Sequence, residues 1–166
     1  MRPFELPGTD GATHTGGPGT RPAVVVFTCN HCPYALAWHD RLLETARDYG
    51  DRADFTFVSS NDASRYPRDS FEAMERRVAG DGGWPAPYLY DETQDVAREY
   101  GARVTPDVFV FDASGRLAYR GAPDADYGET EQHAVWVRGA LDAVLAGRRP
   151  DPAETEPVGC SIKWKA

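Results

Sequence analysis

Apolar residues first gather at Ala23-Val24-Val25-Val26-Phe27, a short run rich in β-branched side chains that predicts a strand buried on both faces of a sheet. Pro33 stands where proline suits the first turn of a helix, and Ala35, Trp38, Leu42, Ala46 and Tyr49 recur at helical spacing until Gly50 ends the pattern. Asp54 to Ser59, with Phe55, Phe57 and Val58, predicts a second strand closed by Asn61-Asp62. Phe71, Met74 and Val78 mark a short helix running to the break at Gly80-Asp81-Gly82-Gly83. Trp84-Pro85-Ala86-Pro87 is expected to be extended, because a residue before proline is pushed out of the α region. Val96, Ala97 and Tyr100 share one face of a short helix over about Asp91 to Tyr100. The runs Asp107 to Phe111 and Leu117 to Arg120 flank Asp112-Ala113-Ser114-Gly115, which is hairpin chemistry. Ala134, Val137, Leu141, Val144 and Leu145 give the inner face of a last helix over about Glu131 to Ala146.

The resulting order is β-α-β-α-(α)-β-β-α, without repeats or an internal linker. Strands alternating with helices imply a parallel element covered on both sides, and the hairpin adds an antiparallel edge. The expectation is one α/β domain over residues 23–147 with a central mixed sheet flanked by helices. Residues 1–22, with five Gly and four Pro, read as a loop-rich lead-in that Phe4 and Leu6 pin to the core. Residues 148–166 read as a Pro-rich tail packed on the domain.

Composition narrows the chemistry. The chain has 166 residues, enough to bury an ordinary core without staples. Its 18 basic and 26 acidic residues leave a net charge of −8, a field that repels phosphate backbones and anionic lipid heads, so neither nucleic-acid nor membrane binding is expected. The opening Met1-Arg2-Pro3-Phe4-Glu5-Leu6-Pro7-Gly8 has no apolar core of a secretory signal, and a cytoplasmic location is expected. The three cysteines, Cys29, Cys32 and Cys160, are too few and odd in number for a disulfide framework.

Cys29-Asn30-His31-Cys32 lies where a buried strand meets a helix N-terminus. Unpaired N–H groups and the positive end of the helix dipole favour a thiolate there, and the thiolate is the species that attacks disulfides. Cys29, expected at the exposed start of the turn, reads as the nucleophile, and Cys32, one helical turn on, as the resolving thiol. His31 adds a possible cation beside Cys29, with Asn30 and Thr28 as further neighbours that tune it. A structural zinc site would need four ligands, and no second pair at suitable spacing exists, so no metal or other cofactor is expected. Soft ligation of Cu(I) by His31 and both thiolates stays as an alternative, a binding or redox-sensing module without turnover.

The order of strand, Cys-x-x-Cys helix start, Thr105-Pro106 before a strand, Asp-x-x-Gly hairpin and closing helix resembles the thioredoxin fold. Phe27-Thr28-Cys29-Asn30-His31-Cys32-Pro33-Tyr34, Pro87-Tyr88-Leu89-Tyr90-Asp91-Glu92, Thr105-Pro106-Asp107-Val108-Phe109 and Gly159-Cys160-Ser161-Ile162-Lys163-Trp164 resemble, more narrowly, the cytosolic peroxiredoxin-like redoxin proteins related to AhpC/TSA. The likeness runs from about Phe4 to the C-terminus. It implies a thiol–disulfide oxidoreductase in which Cys29 is the nucleophile and Cys32 resolves, while Thr105 and a cis-Pro106 form the substrate-facing loop. A protein disulfide or a small thiol or disulfide is the implied partner, and the acidic surface disfavours anionic ones such as glutathione.

The departures from that family matter. Ala23 stands where thioredoxin has a buried proton-shuttling Asp, and Thr28 replaces the Trp before its first Cys, so the proton for the leaving sulfur must come from elsewhere. His31 matches the His of the DsbA-type turn, which implies a couple more oxidising than thioredoxin's about −270 mV. In a peroxidase alternative, the P-x-x-x-T-x-x-C signature would make Cys32 peroxidatic, with Cys29 in the threonine's place and Val25 in the proline's. Cys160 is either a small buried side chain or a third redox thiol, bridging to Cys29 or to another chain. His14 and His39 read as surface residues, His133 as a solvated helix residue, and Asp124 and Asp126 as part of a solvated loop.

Overall fold

The computed structural model describes residues 1–166. Along the chain the elements are β1 (Phe4–Pro7), β2 (Thr13–Gly16), β3 (Ala23–Thr28), α1 (Pro33–Tyr49), β4 (Asp54–Ser59), α2 (Phe71–Gly80), β5 (Tyr88–Tyr90), α3 (Asp95–Tyr100), β6 (Val104–Thr105), β7 (Asp107–Phe111), β8 (Leu117–Gly121), α4 (Val135–Leu145) and β9 (Cys160–Ser161). Single 3-10 turns lie at Pro67–Asp69 and Thr130–Gln132.

The main sheet has the order β5-β4-β3-β7-β8. Its first three strands are parallel and β7 and β8 are antiparallel additions, the mixed sheet that the pattern of apolar runs predicts. β3 sits in the middle, and every one of its residues is buried. The strand's two-residue period sorts its side chains: Val24 and Val26 join Trp38, Leu42, Met74, Val137 and Leu141 on one face. Val25 and Phe27 join Phe4, Leu6, Val96, Ala97 and Ile162 on the other. Helices α1, α2 and α4 therefore cover one side, and α3, the first hairpin and the tail cover the other. No helix is long and apolar enough to cross a membrane.

Several short elements escape the period count. Residues 4–16 form an antiparallel hairpin rather than a loop, with Phe4 and Leu6 turned inward and Glu5 and Pro7 outward. Two apolar residues between prolines are too few to display an alternation. Phe4 pairs with Gly16 because its ring fills the place of a Cβ there, 2.2 Å away. β5 has three residues and pairs with β4, and β6 and β9 have two each and pair only with one another. The last helix begins at Val135, four residues later than expected, because His133 and Ala134 take left-handed backbone and break the first turn.

Asp124, expected in solvent, is buried: it accepts from Trp38 Nε1 at 2.8 Å, from the Ala134 amide and from Arg41, whose guanidinium is buried with it. His39, also expected on the surface, is largely covered, tilted against Trp84 and bonded to Asp81. Desolvation lowers its pKa. α3 begins at Asp95, four residues later than expected, and the carboxylate of Asp91 ahead of it accepts the amides of Val96 and Ala97.

One consequence of the register positions the chemistry. Phe27 of β3 is opposite Asp107 of β7, so the chain leaves β3 toward Cys29 at the same end of the sheet where it enters β7 from Thr105 and Pro106.

Candidate active site

Cys29 follows directly on β3 and Cys32 is the N-cap of α1, in extended backbone with Pro33 at the first helical position. This local geometry is what the sequence asks for, since a proline N–H would be unpaired there in any case. The Cys32 amide donates to Cys29 Sγ at 3.3 Å. Across from the pair, Thr105 reaches both sulfurs, its hydroxyl 3.4 Å from Cys29 Sγ and its carbonyl accepting from Cys32 Sγ at 3.2 Å. The Thr105-Pro106 peptide is cis. Both sulfur-bearing residues are fully buried at 0% exposure, so the expectation of an exposed Cys29 does not hold. Tyr34 and Cys160 pack against them. Thr28 is a strand residue paired with Ser59, and the hydroxyl beside Cys29 belongs to Thr105 instead.

A carboxylate the sequence did not disclose underlies the turn. Asp69, with no exposed side-chain surface, accepts the Asn30 amide at 2.7 Å, His31 Nδ1 at 2.5 Å and Asn61 Nδ2 at 2.9 Å. His31 is stacked on Tyr66, centroids 5.5 Å apart and planes 5° from parallel. Asn30 is held as firmly: its side-chain oxygen accepts from Arg77 and from the Tyr88 hydroxyl, and its amide nitrogen donates to the Arg68 carbonyl. Arg77 also donates to the carbonyl of Cys29. Asp69, Asn61, Tyr66, Arg77 and Tyr88 all come from distant segments, and no spacing in the sequence points to them. The only local cue was polar Ser64 to Ser70 ahead of an apolar helical run.

The two sulfurs titrate as one unit. Mutual hydrogen bonding lowers the Cys32 thiol to about 4 and raises the Cys29 thiol, which burial and the Asp69 carboxylate raise further. Two neighbours pull the remaining proton in opposite directions. The Thr105 carbonyl, an acceptor only, holds a proton on Cys32, whereas Asp69 holds one on Cys29. We therefore treat the pair as sharing one proton and one negative charge at neutral pH.

Cys29 Sγ, a His31 ring nitrogen and an Asp69 oxygen lie within 4.8 Å of one another, and these are the groups that could hold a metal ion. The copper alternative, which joined His31 to both thiolates, meets an imidazole whose Nδ1 already faces Asp69. His133 is exposed, with Glu44 and Glu131 beside it. Cys160 is half-buried, in β9, opposite Thr105.

A mixed sheet with a Cys-x-x-Cys pair at a helix start facing a cis-proline loop defines the class of thioredoxin-like thiol redox proteins. Residues 3–135 match the Redoxin family, and the chain belongs to it. The chain is similar to an uncharacterized conserved protein from Geobacillus kaustophilus, with 38% identity over 99% of this chain and 89% of that one, TM-score 0.92. A hypothetical protein from Sinorhizobium meliloti is 34% identical over 99% and 92%, TM-score 0.91. An exposed lipoprotein thioredoxin from Streptococcus pneumoniae shares the fold at 22% identity, over 81% and 98%, TM-score 0.63. No curated protein matches the chain at a significant level.

Proposed function

We propose that this chain is a thiol–disulfide oxidoreductase whose Cys29–Cys32 pair cycles between dithiol and disulfide. The observation that carries the reading is the convergence of both sulfurs on Thr105, with the Cys32 amide donating to Cys29 Sγ. In the reducing direction a substrate disulfide is broken and the Cys29–Cys32 disulfide forms, two electrons passing to the substrate sulfurs. The pair's shared proton goes to one of them, and the second leaves as a thiolate that His31 can protonate. His31 and Asp69 thus take the place of the proton-shuttling carboxylate that Ala23 does not provide. Thr105 and Pro106 form the loop the substrate backbone meets, and a disulfide-bearing protein is the favoured partner.

A reduced pair that carries a hydrogen-bonded thiolate is stabilised relative to its disulfide, which supports a potential above thioredoxin's about −270 mV. For peroxide reduction the support is weaker, since the group beside Cys32 is a carbonyl, and the Thr105 hydroxyl faces Cys29.

Redox titration of the wild-type protein against glutathione, with the bridge mapped by mass spectrometry, is the direct test. A Cys29–Cys32 disulfide and loss of turnover in Cys32→Ser are expected. Absence of both would overturn the reading, and a potential at or below thioredoxin's would overturn the oxidising assignment.

A further inference from the structure

The Cys29–Cys32 pair has no surface. Both residues are 0% exposed, whereas Cys160, packed on the same cluster, keeps solvent access. An external disulfide therefore meets Cys160 before it can meet either member of the pair. Cys160 is also held in place. Its strand β9 pairs with β6 so that Cys160 lies opposite Thr105, and the Ile162 amide donates to the Arg103 carbonyl at 3.0 Å. On the far side Lys163 donates to Asn61 Oδ1 at 2.8 Å and accepts from the Asp62 amide and from Gln94 Nε2. Ile162 itself is 3% exposed. Before it, Gly159 passes so close to the loop that a Cβ would stand 2.1 Å from the Thr105 carbonyl oxygen, which leaves room for glycine alone.

We propose that Cys160 is the entry thiol of a three-cysteine relay, receiving the substrate disulfide and passing it to Cys32 and then to Cys29. The proposal rests on the oxidoreductase reading and adds the route by which the buried pair is reached. Cys160 packs against the cluster that holds Cys32, and burial together with that neighbour raises its thiol to about 11. The same contact lets the shared thiolate of the pair accept the Cys160 proton as Cys160 attacks. In the first step the substrate S–S bond breaks, Cys160 joins one substrate sulfur, and the other leaves as a thiolate. That thiolate takes the proton from Cys32, which attacks Cys160 Sγ, forming Cys32–Cys160 and releasing the second substrate sulfur as a thiolate. The Cys29 thiol loses its proton to this leaving sulfur and attacks Cys32 Sγ, forming Cys29–Cys32 and returning the Cys160 thiolate. Each step breaks one disulfide and makes one, and the two electrons gained by the substrate come from the Cys29–Cys32 pair.

Two single variants, each treated with glutathione disulfide and mapped by mass spectrometry without reduction, test the relay. In Cys32→Ser the glutathione adduct is expected on Cys160; an adduct on Cys29 with Cys160 free would overturn the relay. In Cys29→Ser an internal Cys32–Cys160 bridge is expected, and its absence would also overturn it. Cys160→Ser should slow exchange by roughly an order of magnitude, with circular dichroism confirming the fold. Unchanged exchange in that variant, with a Cys29–Cys32 bridge still forming in the wild type, would refute the relay and leave the oxidoreductase reading standing. A wild type that forms no bridge at all would refute both.

Discussion

Asp69 and Asp124 are both carboxylates without exposed side-chain surface, one gripping the turn before α1 and the other the middle of that helix. Their partners differ. Asp124 holds the guanidinium of Arg41, a permanent charge, and adds bonds to Trp38 and to the amides of Asp126 and Ala134, so α1, the 124–126 loop and the start of α4 are fixed around one ion. Asp69 holds an imidazole that can gain or lose a proton, two positions from one sulfur and one from the other. A buried charge paired with a permanent ion makes a fastening; Asp69 instead sets its charge against an imidazole next to the thiol pair.

The sharpest way to break this contrast is to remove each carboxylate. Asp124→Ala leaves the Arg41 guanidinium buried without its counter-ion and should lower stability by about 3–5 kcal/mol. Urea unfolding would measure the loss, while the redox potential of the pair should change little. Asp69→Asn keeps the shape and removes the charge, and should lower stability by about 1–3 kcal/mol through the weakened hydrogen bonds. Its larger signature is in titration. Asp69 raises the Cys29 thiol, so its neutralisation should lower the second deprotonation of the pair, read from the ultraviolet absorbance of the thiolate. Equal effects of the two substitutions on that titration would erase the distinction between them.

His39 offers a smaller refinement. Burial depresses its pKa below the unfolded value of about 6.5, so the unfolded chain binds more protons in that window. Its contribution to stability is complete above about pH 6.5 and is lost as pH falls toward the depressed value. Replacing His39 with Gln should flatten the dependence of the urea midpoint on pH between about 5 and 7, the window around the imidazole's unfolded value. An undiminished slope would place its origin elsewhere.

The two carboxylates also explain what the chain's sequence could and could not disclose. The β3 run, the α1 stripe from Ala35 to Tyr49 and the Asp112 to Gly115 hairpin are governed by local period and turn chemistry, and each forms where the pattern places it. Cys29, Cys32 and Thr105 were legible because they sit at the ends of such elements. Asp69 and Asp124 were not, since an acidic residue in a polar loop has the same local appearance whether it faces water or a buried cation. The packing of Cys160 on the pair depends on β9, whose two residues pair with β6 across a sequence separation of more than fifty positions, beyond the reach of any periodicity.

That two-residue ladder has a consequence for the kinetics of labelling. Marginal strands detach locally at far less free energy than global unfolding requires, so β9 should be among the first elements to open in the native protein. Alkylation of Cys32, the buried thiol beside Cys160, would then count those openings under native conditions, and the cysteine becomes a built-in clock for how often the tail lifts from Thr105.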